Sequence, residues 1–267
     1  MTSTHGTALV TGASSGIGAV YADRLARRGY DLILVARDVA RLEKLGERLA
    51  GDYGVTAQVL AADLGDRADV RKVEDRLRQD VGVTLFVNNA GIGPNGPLLQ
   101  NDIDYLDRMV DLNVLTVNRL AVAAAQAFVQ RGSGAIINTA SVVALAPHFF
   151  NGTYSATKAF VLTLTESLAA ELAGTGVRIQ AVLPGLTRTE IFDRVGDSID
   201  ALDQSRVMEV GDMVDAALAG FDQGELITVP SLADKALYDA YEAARGALAP
   251  YLSLNKPAPR YGVRSAA

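Results

Sequence analysis

The chain is 267 residues long, 49% hydrophobic and 21% charged, which gives ample apolar material for one large core and excludes a disordered chain. A net charge of −6 argues against a nucleic-acid partner, the lack of cysteine excludes disulfides and thiolate metal sites, and with only His5 and His148 no metal is expected. The N-terminus is short and polar and no run of about 18 apolar residues occurs, so a cytoplasmic protein with no membrane partner is expected.

Short apolar runs at 8–10, 32–35, 57–61, 85–87, 135–138, 179–182 and 226–229 predict strands. Amphipathic segments at 17–28, 39–53, 67–81, 105–130, 154–173 and 210–223 predict the helices between them. The strand runs are continuously apolar rather than alternating, as parallel strands covered on both faces require. The expected fold is therefore α/β: a Rossmann-type, doubly wound parallel β-sheet of seven strands with helices on both faces. No repeat or linker divides the chain. One dinucleotide-binding and catalytic domain is expected over 1–267, with a substrate loop around 189–210 and an irregular tail around 250–267, where Pro250, Pro257 and Pro259 fall.

The first strand runs into Thr11-Gly12-Ala13-Ser14-Ser15-Gly16-Ile17-Gly18 and then a helix. Glycines here allow a tight turn, a close backbone approach to phosphate and close helix–strand packing, while the helix N-terminus faces the pyrophosphate. A flexible turn would look similar, but the position after the first strand of an alternating fold favours a nucleotide. The second strand ends at Ala36-Arg37-Asp38. An acidic residue at the strand end would bind ribose hydroxyls and repel a 2′-phosphate; this chain has Ala36 there, then Arg37, whose planar fork suits a phosphate, with Ser14 or Ser15 adding a hydroxyl. Asp38 points to NAD if the register slips by one residue. The expected cofactor is NADP(H).

Asp63-Leu64 follows the third strand, and Asn88-Asn89-Ala90-Gly91 the fourth. Asn113 lies in a helical pattern for which asparagine has poor propensity, and Ser141 lies beyond the fifth strand, at the sheet end where ligands bind. In Tyr154-Ser155-Ala156-Thr157-Lys158, tyrosine and lysine are four apart and share a helix face. A nearby ammonium favours tyrosinate and is expected to lower a phenol pKa of about 10 towards the working range. Pro184-Gly185 follows the sixth strand. Taken singly these residues read as a helix pair, a capping serine and a solvent-facing asparagine. In this order and spacing, over approximately residues 5 to 235, the set resembles the short-chain dehydrogenases/reductases of the single-domain type of about 250 residues.

That resemblance implies an oxidoreductase moving a hydride between nicotinamide and a carbonyl or secondary alcohol. Tyr154 would exchange the proton with the substrate oxygen, Ser141 polarise the carbonyl, Lys158 bond the nicotinamide ribose, and Asn113 kink its helix and hold a relay water. Asp63 and Leu64 would contact adenine, Asn89, Ala90 and Gly91 the adenosine ribose, with Asn88 mainly structural. Pro184 and Gly185 would hold the carboxamide, and Thr187 or Thr189 a phosphate. Around the substrate, Val143, His148, Phe149 and Phe192 are candidates, and the mixture of Ile191, Phe192, Val195, Ile199 and Leu202 with acids suits a lid over an apolar pocket. An uncharged, lipophilic or aromatic small-molecule carbonyl or alcohol is expected. The alternatives are an NAD-linked alcohol, sugar or steroid dehydrogenase and a non-catalytic NADP-binding sensor. A homodimer or homotetramer is expected, with the helices at 105–130 and 154–173 as a candidate interface.

Overall fold

The computed structural model describes residues 5–190 and 199–263. Its elements follow the expected alternation: β1 (Thr7–Thr11), α1 (Gly16–Arg27), β2 (Asp31–Ala36), α2 (Val39–Tyr53), β3 (Ala57–Ala61), α3 (Arg67–Gln79) and β4 (Val83–Asn88). Then come α4 (Ile103–Val110), α5 (Val117–Arg131), β5 (Gly134–Thr139), α6 (Gly152–Glu171) and β6 (Val177–Val182). The short β7 (Thr187–Arg188) and β8 (Met208–Glu209) pair with each other and are followed by α7 (Val210–Asp222), β9 (Ile227–Thr228) and α8 (Lys235–Gly246).

The main sheet is parallel and seven-stranded, in the order β3-β2-β1-β4-β5-β6-β9. Alternate residues of each strand feed opposite cores, which is why the strand runs are apolar throughout. Ala8, Val10, Leu32, Leu34, Leu85 and Val87 pack under α1, α2 and α7, against Tyr21, Leu25, Leu42, Leu49, Met213 and Leu218. Leu9, Ile33, Val35, Phe86 and Ile136 pack under α3, α5 and α6, against Val73, Leu77, Leu120, Phe128 and Leu168. Chain order reverses direction between β1 and β4, opening a crevice beyond the carboxyl ends of the strands.

The stretch Ile103–Arg131 is long and apolar enough by composition to cross a membrane, yet more than half buried in the fold. A π-helical turn, Asp111–Thr116, joins α4 to α5 within it. Within this stretch Leu120, Ala121, Ala123, Ala124 and Phe128 are buried, while Leu115 and Val129 are exposed. Packing groups Met1–Ser231 into one compact unit and Leu232–Ala267 into a second, smaller one. The second unit holds α8, capped by the Asp234 carboxylate, and short turns at Ala249–Tyr251 and Pro259–Tyr261.

Candidate active site

The glycine loop has the shape a pyrophosphate cradle needs. A Cβ on Gly18 would stand 2.3 Å from the Gly12 carbonyl oxygen, so α1 can start this close to the loop only without a side chain there. Ser15 is the N-cap of α1 but makes no side-chain capping bond, which leaves the first-turn amides to an incoming anion. Thr189 lies over the same turn, its Cβ and Cγ2 3.4 Å from where a Cβ on Gly16 would be. Thr187 instead faces inward, buried, and donates to the Gly185 carbonyl at 3.1 Å. Geometry thus separates two threonines that spacing left equal.

At the end of β2, Ala36 is buried and Arg37 exposed, with its guanidinium 4.0 Å from Asp63. Asp38 caps α2, accepting from the Arg41 amide at 3.0 Å. Asp63 closes its own turn by accepting from the Gly65 amide at 2.9 Å, and the Leu64 carbonyl accepts from Thr116 at 2.9 Å.

The ends of β1, β4 and β5 are stitched together by polar side chains. Thr11 Oγ1 accepts from the amides of Asn89 and Ala90 at 2.9 and 3.1 Å and donates to the Val87 carbonyl at 3.3 Å. Asn89 donates to the Thr11 carbonyl at 3.0 Å and accepts from Thr139 at 3.3 Å. Asn88 is buried and bonds Asn138 and the Val117 carbonyl.

Tyr154, Lys158, Ser141 and Asn113 come together above this seam. Asn151 caps α6 by accepting from the Tyr154 amide at 3.2 Å, and its own amide donates to the Gly96 carbonyl at 3.1 Å. One turn on, Lys158 is buried, its Nζ 5.8 Å from the Tyr154 ring centroid and donating to the Thr139 carbonyl at 3.0 Å. Ser141 caps the turn Val142–Ala144, donates to the Pro184 carbonyl at 3.3 Å and hydrogen-bonds Tyr154. Asn113 sits within the π turn and clamps Ile92, accepting from its amide and donating to its carbonyl, both at 2.9 Å, with a further bond to Thr157 at 3.3 Å. A Cβ on Gly91 would lie 2.9 Å from Asn113 Oδ1 and 3.6 Å from Lys158 Nζ, so this glycine keeps the floor of the site open.

Burial pushes the Tyr154 phenol up to about 12, with the Ser141 hydrogen bond pulling the other way, and burial pushes the Lys158 ammonium down to about 8. The expected lowering of the tyrosine by lysine does not occur in this pocket. Withdrawal from water penalises both charged forms, and the ammonium is turned to the Thr139 carbonyl. The arrangement holds a proton on a phenol beside a hydroxyl, the equipment of an acid and an oxyanion partner.

On the substrate side Val143 is buried and His148 exposed. Ile191, Phe192, Val195 and the side chain of Phe149 lie outside the described residues. Sequence reading quoted Thr11 and Thr157 within its motifs without giving them a role, and passed over Thr139 and Asn151. Only Asn151 left a signal, an N-cap residue type three places before Tyr154.

The chain matches the short chain dehydrogenase family over residues 6–200. It is 32% identical over 188 residues to a very-long-chain 3-oxoacyl-CoA reductase of Anas platyrhynchos, covering 69% of this chain and 60% of the length of that protein. A diacetyl reductase of Staphylococcus epidermidis is 32% identical over 79% of this chain and 81% of its own. Among solved structures, a short-chain dehydrogenase from Sphingobium yanoikuyae in complex with NADPH superposes with a TM-score of 0.92 at 48% identity, covering 96% of this chain and 100% of that one. A bulky-bulky ketone specific alcohol dehydrogenase from Comamonas testosteroni gives 0.88 at 44% identity, covering 96% and 98%.

Proposed function

The chain belongs to the short-chain dehydrogenase/reductase family, and on that premise we propose that it is an NADP(H)-dependent carbonyl reductase or alcohol dehydrogenase with Tyr154 as acid/base. The observation that carries the reading is the meeting of Tyr154 with Ser141 at the carboxyl end of β5, one helical turn from buried Lys158.

When bound, the nicotinamide supplies or takes up the hydride. The glycine loop and Thr189 would hold the pyrophosphate, and Arg37 the 2′-phosphate, with Asp38 occupied as a cap. The NADPH in the Sphingobium protein supports that choice. In reduction, the Tyr154 phenol gives its proton to the substrate oxygen, while the Ser141 hydroxyl stabilises the charge developing there. In oxidation Tyr154 takes the proton back. Lys158 and Asn113 fix the floor beneath them through Thr139 and Ile92. For the substrate we propose a bulky, uncharged ketone or the matching secondary alcohol, a reading supported by the name of the Comamonas relative.

The test is loss of NADPH absorbance with a panel of diketones, alkyl aryl ketones and diaryl ketones, run on wild type and Tyr154→Phe. Turnover that drops by about a thousandfold in the variant supports the mechanism. Turnover that survives the substitution sinks it.

A further inference from the structure

We propose that the protein carries a second small-molecule site, at the amino ends of the strands, that takes a planar aromatic or heteroaromatic monocarboxylate. Helices α1 and α7 are tied together by ion pairs and end at the same edge of the sheet. Each stops at a glycine in the left-handed region, Gly29 with φ 86° and Gly224 with φ 78°. The turns that follow close their own last carbonyls, the Tyr30 amide donating to Leu25 and the Glu225 amide to Gly220. Between the two helix ends and the sheet lies a cleft of about 340 Å³, within the size range of ligand pockets. Leu25, Leu85 and Leu218, all buried, form its apolar floor, and Arg28 pairs with Asp222 at 2.9 and 3.0 Å at its rim.

Arg178 gives the cleft its chemistry. It is a charge inside β6, between the buried Val177 and Ile179, and its own side chain is exposed. Its guanidinium lies 4.1 Å from the Phe221 ring centroid, and among the described residues it makes no ion pair and no side-chain hydrogen bond. A guanidinium stacked on a ring keeps its in-plane N–H donors for a planar acceptor, and a carboxylate takes two of them at once. The Tyr30 phenol faces the same charges: burial raises it, Arg178 and Arg28 pull it down, and Asp222 pushes it up. Its ring stands 5.3 Å from that of His5, an aromatic wall against which a flat ligand stacks. Two guanidiniums and one carboxylate line the cleft, a balance of one positive charge that suits a monoanion. Asp31 and Glu225, which follow the two turns, are engaged by the Thr56 amide and the Thr228 hydroxyl. Tyr154 and the glycine loop stand at the carboxyl ends of the strands, about 15 Å away along β1, so the cofactor and this ligand do not meet.

An NMR titration of the full chain with 2-naphthoate, with and without saturating NADPH, tests this. The chain has two histidines, and they report on different places: His5 lines this cleft, and His148 lies on the substrate side of the Tyr154 site. The His5 ring signals are expected to move with a Kd of about 0.1–1 mM, and those of His148 to stay. NADPH should change that Kd by less than about twofold. Arg178→Gln, with the rest of the spectrum intact, is expected to weaken 2-naphthoate about tenfold, and Arg178→Lys to recover only part of the loss. The uncharged 2-naphthamide should bind about tenfold more weakly than 2-naphthoate. The proposal is overturned if 2-naphthoate moves His148 instead of His5, if NADPH displaces it, or if Arg178→Gln binds it as wild type does. The absence of any His5 shift up to about 10 mM overturns it equally.

Discussion

At the scale of single residues, the proton inventory of the site sets its pH behaviour. Tyr154, raised to about 12, keeps its proton through the neutral and mildly alkaline range, so the acid proposed for reduction is present throughout. Lys158, lowered to about 8, is fully charged only below that value. The sign follows: kcat/KM for reduction should fall as pH rises through about 8, because the lysine loses its charge, not because the tyrosine loses its proton. A pH series of kcat/KM checks this, and a profile flat to pH 10 would remove Lys158 from the argument. Ser141→Ala should cost about a hundredfold in kcat and leave NADPH affinity unchanged, since the hydroxyl faces Tyr154 rather than the glycine loop. The identities of these residues were readable from their spacing, but their pKa values were not. The spacing of Tyr154 and Lys158 suggested mutual assistance, whereas burial, a property of the whole pocket, dominates both.

At the scale of elements, helix α6 is positioned by its N-cap residue. Asn151 caps it at the Tyr154 amide while holding the Gly96 carbonyl, so one side chain fixes where the turn that carries Tyr154 begins. Asn151→Ala should lower stability by about 1 kcal/mol, as cap losses do, and lower kcat more than it raises KM. Melting curves with steady-state kinetics separate the two effects, and Asn151→Asp, which keeps the capping oxygen but cannot donate to the Gly96 carbonyl, should recover only part of the loss. The π turn carrying Asn113 shows where sequence reading stops. An asparagine in a helical pattern pointed to a special position, but its partner Ile92 lies 21 residues away. The strand and helix pattern was legible because each strand feeds two cores and each helix one. Thr187 and Thr189 were not separable because β7 pairs with β8, a contact between segments that local pattern does not encode.

At the scale of the molecule, the crevice is bounded by two halves of one sheet: β1 with β2 and β3 on one side, β4 with β5 and β6 on the other. A ligand that grips both halves binds only the native chain. At a hundred times its Kd it stabilises by about 2.7 kcal/mol, which for a chain of this size is a midpoint rise of about 5–10 °C. NADPH should give that rise, and NADH at equal concentration a smaller one. The seam between the halves is Thr11, whose hydroxyl serves the Asn89 and Ala90 amides across the switch point. Thr11→Val keeps the volume and removes the hydroxyl, leaving two amides short of an acceptor, at a cost of about 1–3 kcal/mol. The variant should therefore melt lower without cofactor, and its NADPH-induced rise should shrink as well, because the loop 88–91 is no longer held against the glycine turn. A variant that melts lower but keeps the full NADPH rise would mean that the seam supports the sheet alone and that the cofactor crevice is set by the glycine turn without it.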